Sequence, residues 1–144
     1  MVPLFALCPK GQGIFFFEGG ENVSIQEEAV KRHGMGCNCA QCVLGACGSY
    51  TGLDEDTANA VAAGFGGGVR SGEICGAISG AVMALGLCTH DRRQMAAAAR
   101  DCVAAFRQQF GCVRCIELKQ AGVSCDELIA FGAQYVENAL KNKE

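Results

Sequence analysis

Proline occurs only at Pro3 and Pro9. From Lys10 onward no residue removes a backbone donor or clashes with a preceding helical turn, so almost the whole chain is free to be helical. Apolar spacing and end signals then decide where helices form. Ser24-Ile25-Gln26-Glu27 is a capping box, and it opens a helix that carries Ile25, Ala29 and Val30 inward and ends near Gly34. Asn38 caps a second helix from Cys39 to about Ser49, and Asp54 a third through about Ala63. A small-residue helix is expected from Glu73 to Leu87, with Gly76 and Gly80 four apart so that another backbone can approach. Thr89 or His90 is expected to cap the next helix. Its Met95, Ala99, Cys102, Val103, Phe106 and Phe110 share one face, and Gly111 ends it. A short helix from about Cys112 to Lys119 follows. A second capping box, Ser124-Cys125-Asp126-Glu127, opens a terminal helix with Leu128, Gly132, Tyr135, Val136, Ala139 and Leu140 inward. No segment alternates as a strand does. The expected fold is all-α: a single compact bundle of about six or seven short helices.

Residues 1–22 have no helical period, because Gly11, Gly13, Gly19 and Gly20 interrupt the Ile14-Phe15-Phe16-Phe17 patch. They are expected to form a poorly specified N-terminal arm, docked and extended, or to precede a true start at Val23 or Met35. Residues 23–144 are expected to form one cysteine-rich helical redox domain. The stretch from Gly64 to Gly72 is expected to be a flexible connector.

Composition excludes several functions. A net charge of −3, with 12 Lys plus Arg scattered along the chain, gives no basic face for nucleic acid. The longest apolar run, Ile74 to Cys88, is 15 residues and too short to span a bilayer. The start, Met1 to Cys8, has no basic segment before a long apolar run, so it does not read as a signal peptide. The protein is expected to be cytoplasmic. In that compartment 11 cysteines point to metal binding or redox chemistry before structural disulfides.

The cysteines fall into two groups by position. Cys39 and Cys125 each follow a cap, Cys75 lies in the first turn after the glycine stretch, and Cys112 and Cys115 follow Gly111. The first turn of a helix has unpaired N–H groups and the positive end of the dipole, which favours a thiolate and lowers its pKa. Cys42, Cys47, Cys88 and Cys102 are equally well read as small core residues. Two C-x-x-C pairs, Cys39 to Cys42 and Cys112 to Cys115, share helical faces, and Cys37, Cys39 and Cys42 place three thiols within six residues. No histidine follows either pair, so c-type haem attachment is excluded. The glycine stretch lacks the lysine of a phosphate-binding loop and follows no strand. Its Gly67 and Gly68, with Gly76 and Gly80, are instead candidates for close backbone approach to a thiolate or cluster sulfur. Of the two histidines, His33 lies nearer the cysteines than His90.

These residues resemble the C-GCAxxG-C-C family of redox-active proteins. The matching stretches are Asn38-Cys39-Ala40-Gln41, Gly64-Phe65-Gly66-Gly67-Gly68, Cys75-Gly76-Ala77-Ile78-Ser79-Gly80, Cys115-Ile116-Glu117-Leu118 and Cys125. The resemblance covers about residues 24 to 140. It implies a small helical domain in which Cys39, Cys75, Cys115 and Cys125 form the shared set, with an iron–sulfur centre suggested by related domains. This chain departs from the pattern in its extra thiols Cys37, Cys42 and Cys112, which are secondary ligand candidates.

The leading expectation is a protein that binds an iron–sulfur cluster or other metal through Cys39, Cys75, Cys115 and Cys125 and passes electrons to a redox partner protein. The alternative is a metal-free thiol–disulfide oxidoreductase acting through Cys75 or a C-x-x-C pair. A third reading is a zinc-stabilised interaction or metal-handling module. Apolar faces on several helices are compatible with a homodimer.

Overall fold

The computed structural model describes residues 24–142. The expected arm, residues 1–22, lies outside them. Eight α-helices follow one another: α1 Ile25–Gly34, α2 Cys39–Ala46, α3 Gly48–Thr51, α4 Glu55–Ala62, α5 Gly76–Cys88, α6 Arg92–Phe110, α7 Cys115–Gln120 and α8 Cys125–Lys141. No strand is formed among the described residues, and one isolated antiparallel bridge joins Ile74 to Arg114. The all-α expectation is met. The count exceeds six or seven because the expected second helix breaks at Cys47, and its remainder winds one further turn as α3.

Most ends are where the sequence places them. Ser24, Asn38 and Ser124 each close a capping box with the side chain three residues on, and Asp54 accepts from Thr57 N–H. Three expectations are corrected. Asp91, rather than Thr89 or His90, caps α6 by accepting from Gln94 N–H, since a carboxylate serves there better than either neighbour. The short helix begins at Cys115, which leaves Cys112 in the preceding loop. The central helix begins at Gly76 and ends at Cys88, so Cys75 is its N-cap.

The core is built around α2, α5 and α8. Helices α2 and α5 make the most extensive contact and run parallel, start beside start. Their approach needs glycine: a Cβ on Gly80 would fall 2.7 Å from the Ala40 carbonyl oxygen, and one on Gly76 would fall 3.2 Å from Cys39 Cβ. Helix α8 packs on α1, α2 and α5, carrying Leu128, Gly132, Val136 and Leu140 inward as its period requires. A triad of rings ties α6 to α8, with Phe131 centred 4.8 Å from Phe106 and 5.3 Å from Phe110. Cys42, Cys47 and Cys102 are fully buried in this core.

The connector before Cys75 is a defined turn. Gly67, Gly68, Val69 and Arg70 all have positive φ, between 57° and 65°, which winds the chain left-handed for four residues. Val69 and Arg70 pay for this conformation sterically, on the order of 1–2 kcal/mol each. Gly68 is required there, because a Cβ would fall 2.5 Å from Glu73 N and 2.6 Å from Glu73 O.

Candidate four-cysteine redox site

Four helix starts meet at one end of the bundle, and each carries a cysteine. Cys39, Cys115 and Cys125 are the first residues of α2, α7 and α8, and Cys75 caps α5. Two backbone devices bring them together. The parallel α2–α5 contact sets Cys39 beside Gly76. Residues 73–75 are stitched to residues 113–115: Cys75 N donates to Val113 O at 2.9 Å, and Cys115 N donates to Glu73 O at 2.6 Å. The side chains reinforce that seam, since Arg114 Nε and Nη2 donate to Glu73 Oε1 and Oε2 at 3.0 and 3.2 Å. Helix α8 brings Cys125 close enough to raise the Cys39 thiol.

The electrostatics of the thiols correct one expectation. Burial pushes the Cys39 thiol up, and the neighbouring Cys125 and Cys75 push it further. Burial also raises Cys75, helped by Cys115 and Cys125. The backbone N–H groups of Ala77 and Ile78 pull Cys75 the other way, without completing a capping hydrogen bond. A helix start alone favours a thiolate, but desolvation and three like neighbours outweigh it here. The thiolates of Cys39 and Cys75 are therefore disfavoured unless a cation balances them or two sulfurs join.

The secondary candidates stand elsewhere. Cys37 is buried and disulfide-bonded, which removes it from the free thiols. Cys42 is fully buried, with its Sγ 3.6 Å from Cys37 O, and burial pushes it up to about 12. Cys112 Sγ lies 4.0 Å from Phe110 O, and Cys115 is the thiol of that segment that acts on Cys75. Nine described cysteines form no disulfide, including Cys39, Cys75, Cys115 and Cys125. His33 Nδ1 lies 2.6 Å from Asp126 Oδ1, so it ties the end of α1 to the start of α8. Gly67 and Gly68 shape the turn that leads to Cys75, whereas Gly76 and Gly80 serve the contact with α2.

Four thiols from four rigid helix starts are a donor set suited to a thiophilic metal or an iron–sulfur cluster. Among the described residues, no three His, Cys, Asp or Glu side chains are arranged to hold a single metal ion. Among the described residues, no helix is long and apolar enough to cross a membrane.

Sequence reading missed two ion-pair groups. One is the Glu73–Arg114 seam, whose partners are 41 residues apart. The other is a buried network in which Arg32 donates to Glu28 and, through two nitrogens, to Glu55. A signal for the latter was present: Ile25, Glu28, Ala29 and Arg32 share one helical stripe, and all four are buried.

The fold defines a cysteine-rich all-α domain in which four helix starts carry cysteines. The family described as "Putative redox-active protein (C_GCAxxG_C_C)" matches residues 37–139, and the chain belongs to it. No curated protein and no solved structure matches the chain.

Proposed function

We propose that Cys39, Cys75, Cys115 and Cys125 are the ligands of an iron–sulfur cluster through which this redox-active protein passes electrons to a partner protein. The observation that carries the reading is the meeting of four free thiols at four helix starts. When bound, a cluster supplies one-electron redox chemistry and the positive charge that grouped thiolates need. The chain's own residues hold the ligands in place. The Asn38 and Ser124 capping boxes fix the first turns that carry Cys39 and Cys125. The 73–75 and 113–115 seam fixes Cys75 against Cys115. The N–H groups of Ala77 and Ile78 face the Cys75 sulfur and stabilise negative charge there.

An electron partner would meet an apolar rim on the same two segments. Val69, Ile74 and Ile116 are 50%, 38% and 45% exposed, and Gly72 of the turn packs beside Ile116. Nine cysteines outside any disulfide suit a reducing compartment, in keeping with a cytoplasmic protein.

The test is anaerobic purification and cluster reconstitution, read by visible absorption, iron and acid-labile sulfide. A brown protein with stoichiometric iron and sulfide, lost in Cys75→Ser, supports the reading. A colourless, iron-free protein after reconstitution overturns it.

A second reading is favoured by the electrostatic interaction of Cys39 with Cys125, each the first residue of its helix. In it these two thiols reduce a substrate disulfide, giving two substrate thiols and one Cys39–Cys125 disulfide. Alkylation and peptide mapping after treatment with a small disulfide would recover that linked pair. A metal-free protein that yields no such pair rejects this reading. Zinc analysis covers the third reading, a zinc-stabilised module, through loss of folding on chelation.

A further inference from the structure

A second pair of cysteines stands at the far ends of the two helices whose starts carry Cys39 and Cys75. Helices α2 and α5 run parallel from starts that lie side by side, Gly76 against Cys39. Cys47 closes α2 and opens the single turn of α3, where its carbonyl accepts from Tyr50 N at 2.9 Å and Thr51 N at 3.0 Å. Cys88 is the last residue of α5. Tyr50 follows Cys39 by nearly as many residues as Cys88 follows Gly76, so the parallel course brings the two level. Cys88 Sγ accordingly donates to Tyr50 O at 3.4 Å, which holds this sulfur against the turn that Cys47 begins. Neither cysteine forms a disulfide.

We propose that Cys47 and Cys88 form a second redox site, a dithiol that a small disulfide compound oxidises to one intramolecular disulfide. Cys47 is fully buried and Cys88 half-buried, so the compound meets Cys88 first. The Cys88 sulfur attacks it, forming a mixed disulfide and releasing one small thiol. Cys47 then displaces the other half from the Cys88 sulfur, which forms the Cys47–Cys88 bond and releases a second small thiol. The protons of the two cysteines leave on the two released thiols, and the two electrons they give up reduce the small disulfide. Electrostatics agree with the geometry: the Cys47 thiol is pushed up to about 12, first by burial and next by Cys88. Little thiolate is present at neutral pH, but a sulfur held beside its target reacts at a high effective concentration. The place of Cys88 in the last turn of its helix also helps, because helix ends open locally at low cost and let the sulfur leave the Tyr50 carbonyl. Neither cysteine is a proposed cluster ligand, so this inference stands independently of the cluster.

The test exposes the full chain, reduced and desalted, to oxidised glutathione under native conditions. The reaction is quenched with acid, the remaining thiols are alkylated in denaturant, and the protein is digested without reductant for mass spectrometry. Trypsin and chymotrypsin together cut after Leu44, Tyr50, Leu87 and Arg92, which separates Cys47 and Cys88 from every other cysteine. A peptide pair joining Cys47 to Cys88 is expected, while the core thiol Cys102 is recovered alkylated. Cys88→Ser should abolish the link and leave Cys47 alkylated. Cys47→Ala should stop the reaction at glutathione on Cys88, and Cys102→Ser should leave the link intact. A Cys39–Cys125 link would be a separate species in the same digest, so the two thiol chemistries are read apart. In the unsubstituted protein, Cys47 recovered alkylated, whether Cys88 carries glutathione or not, overturns the proposal, as does Cys47 or Cys88 linked to another cysteine. Should Cys47→Ala fail to fold, Cys88→Ser decides: a Cys47 that still resists alkylation there overturns it.

Discussion

Cys75 and Cys102 are both almost completely buried, yet they occupy different chemical surroundings. Cys102 lies inside the core on α6, where burial alone pushes its thiol up to about 12. Cys75 lies at the end of the bundle where helices begin, among Cys39, Cys115 and Cys125 and against the N–H groups of Ala77 and Ile78. Cys39 and Cys42 repeat the contrast within one helix, three residues apart. The same side chain is inert filling in one setting and a candidate ligand in the other. Exposure does not separate the two settings; what surrounds each sulfur does.

Substitution breaks the comparison most sharply. Cys75→Ser should abolish cluster incorporation, measured as iron and sulfide per chain, whereas Cys102→Ser should leave it unchanged. Equal loss in both variants would mean that core integrity, and not ligation, controls assembly.

Alkaline pH tests the core thiols next. Cys42, Cys47 and Cys102 titrate near 12 when folded, against 9.0 unfolded. Their folded pKa is raised, so the stabilisation is fully present below pH 9.0 and is lost as pH rises toward 12. In that window the unfolded chain has released protons that the folded chain still holds. Urea denaturation under reductant should show stability falling by about 1.4 kcal/mol per pH unit for each thiol. Cys102→Ala should remove one proton from that slope. A slope unchanged by Cys102→Ala would show that this thiol does not titrate as a core residue.

Gly80→Ala probes the contact that joins the two settings. Its Cβ would press on the Ala40 carbonyl at 2.7 Å and force α2 and α5 apart. The expected cost is about 1–3 kcal/mol in chemical denaturation, together with weaker cluster retention. Full cluster retention with lowered stability would detach the site from the helix contact. Ser124→Ala should have the smallest effect, about 1 kcal/mol, through loss of the α8 cap. Its mark on the site would be a displaced Cys125, seen as faster alkylation of that thiol in the metal-free protein.

Much of this arrangement was legible before any coordinates. Capping boxes at Ser24 and Ser124, the Asn38 and Asp54 caps, and the stop at Gly111 are short-range signals, satisfied within four residues, and they placed most helix ends. The same signals put Cys39 and Cys125 in first turns. The Gly76 and Gly80 spacing announced a close helix contact without naming its partner. Where three neighbouring residues could cap, at Thr89, His90 and Asp91, the sequence pointed to the first two and the structure uses the third.

The sequence by itself determined that Cys39 and Cys125 open helices, because capping depends on residues three or four apart. Tertiary structure decided that those starts converge, that Cys115 rather than Cys112 acts on Cys75, and that burial and like neighbours raise Cys39 and Cys75. It also decided that Arg32 is buried between Glu28 and Glu55. The physical reason is range. A hydrogen bond across one turn is written in a few adjacent residues, whereas the Cys75–Val113 bond and the desolvation of a thiol exist only once distant segments have packed.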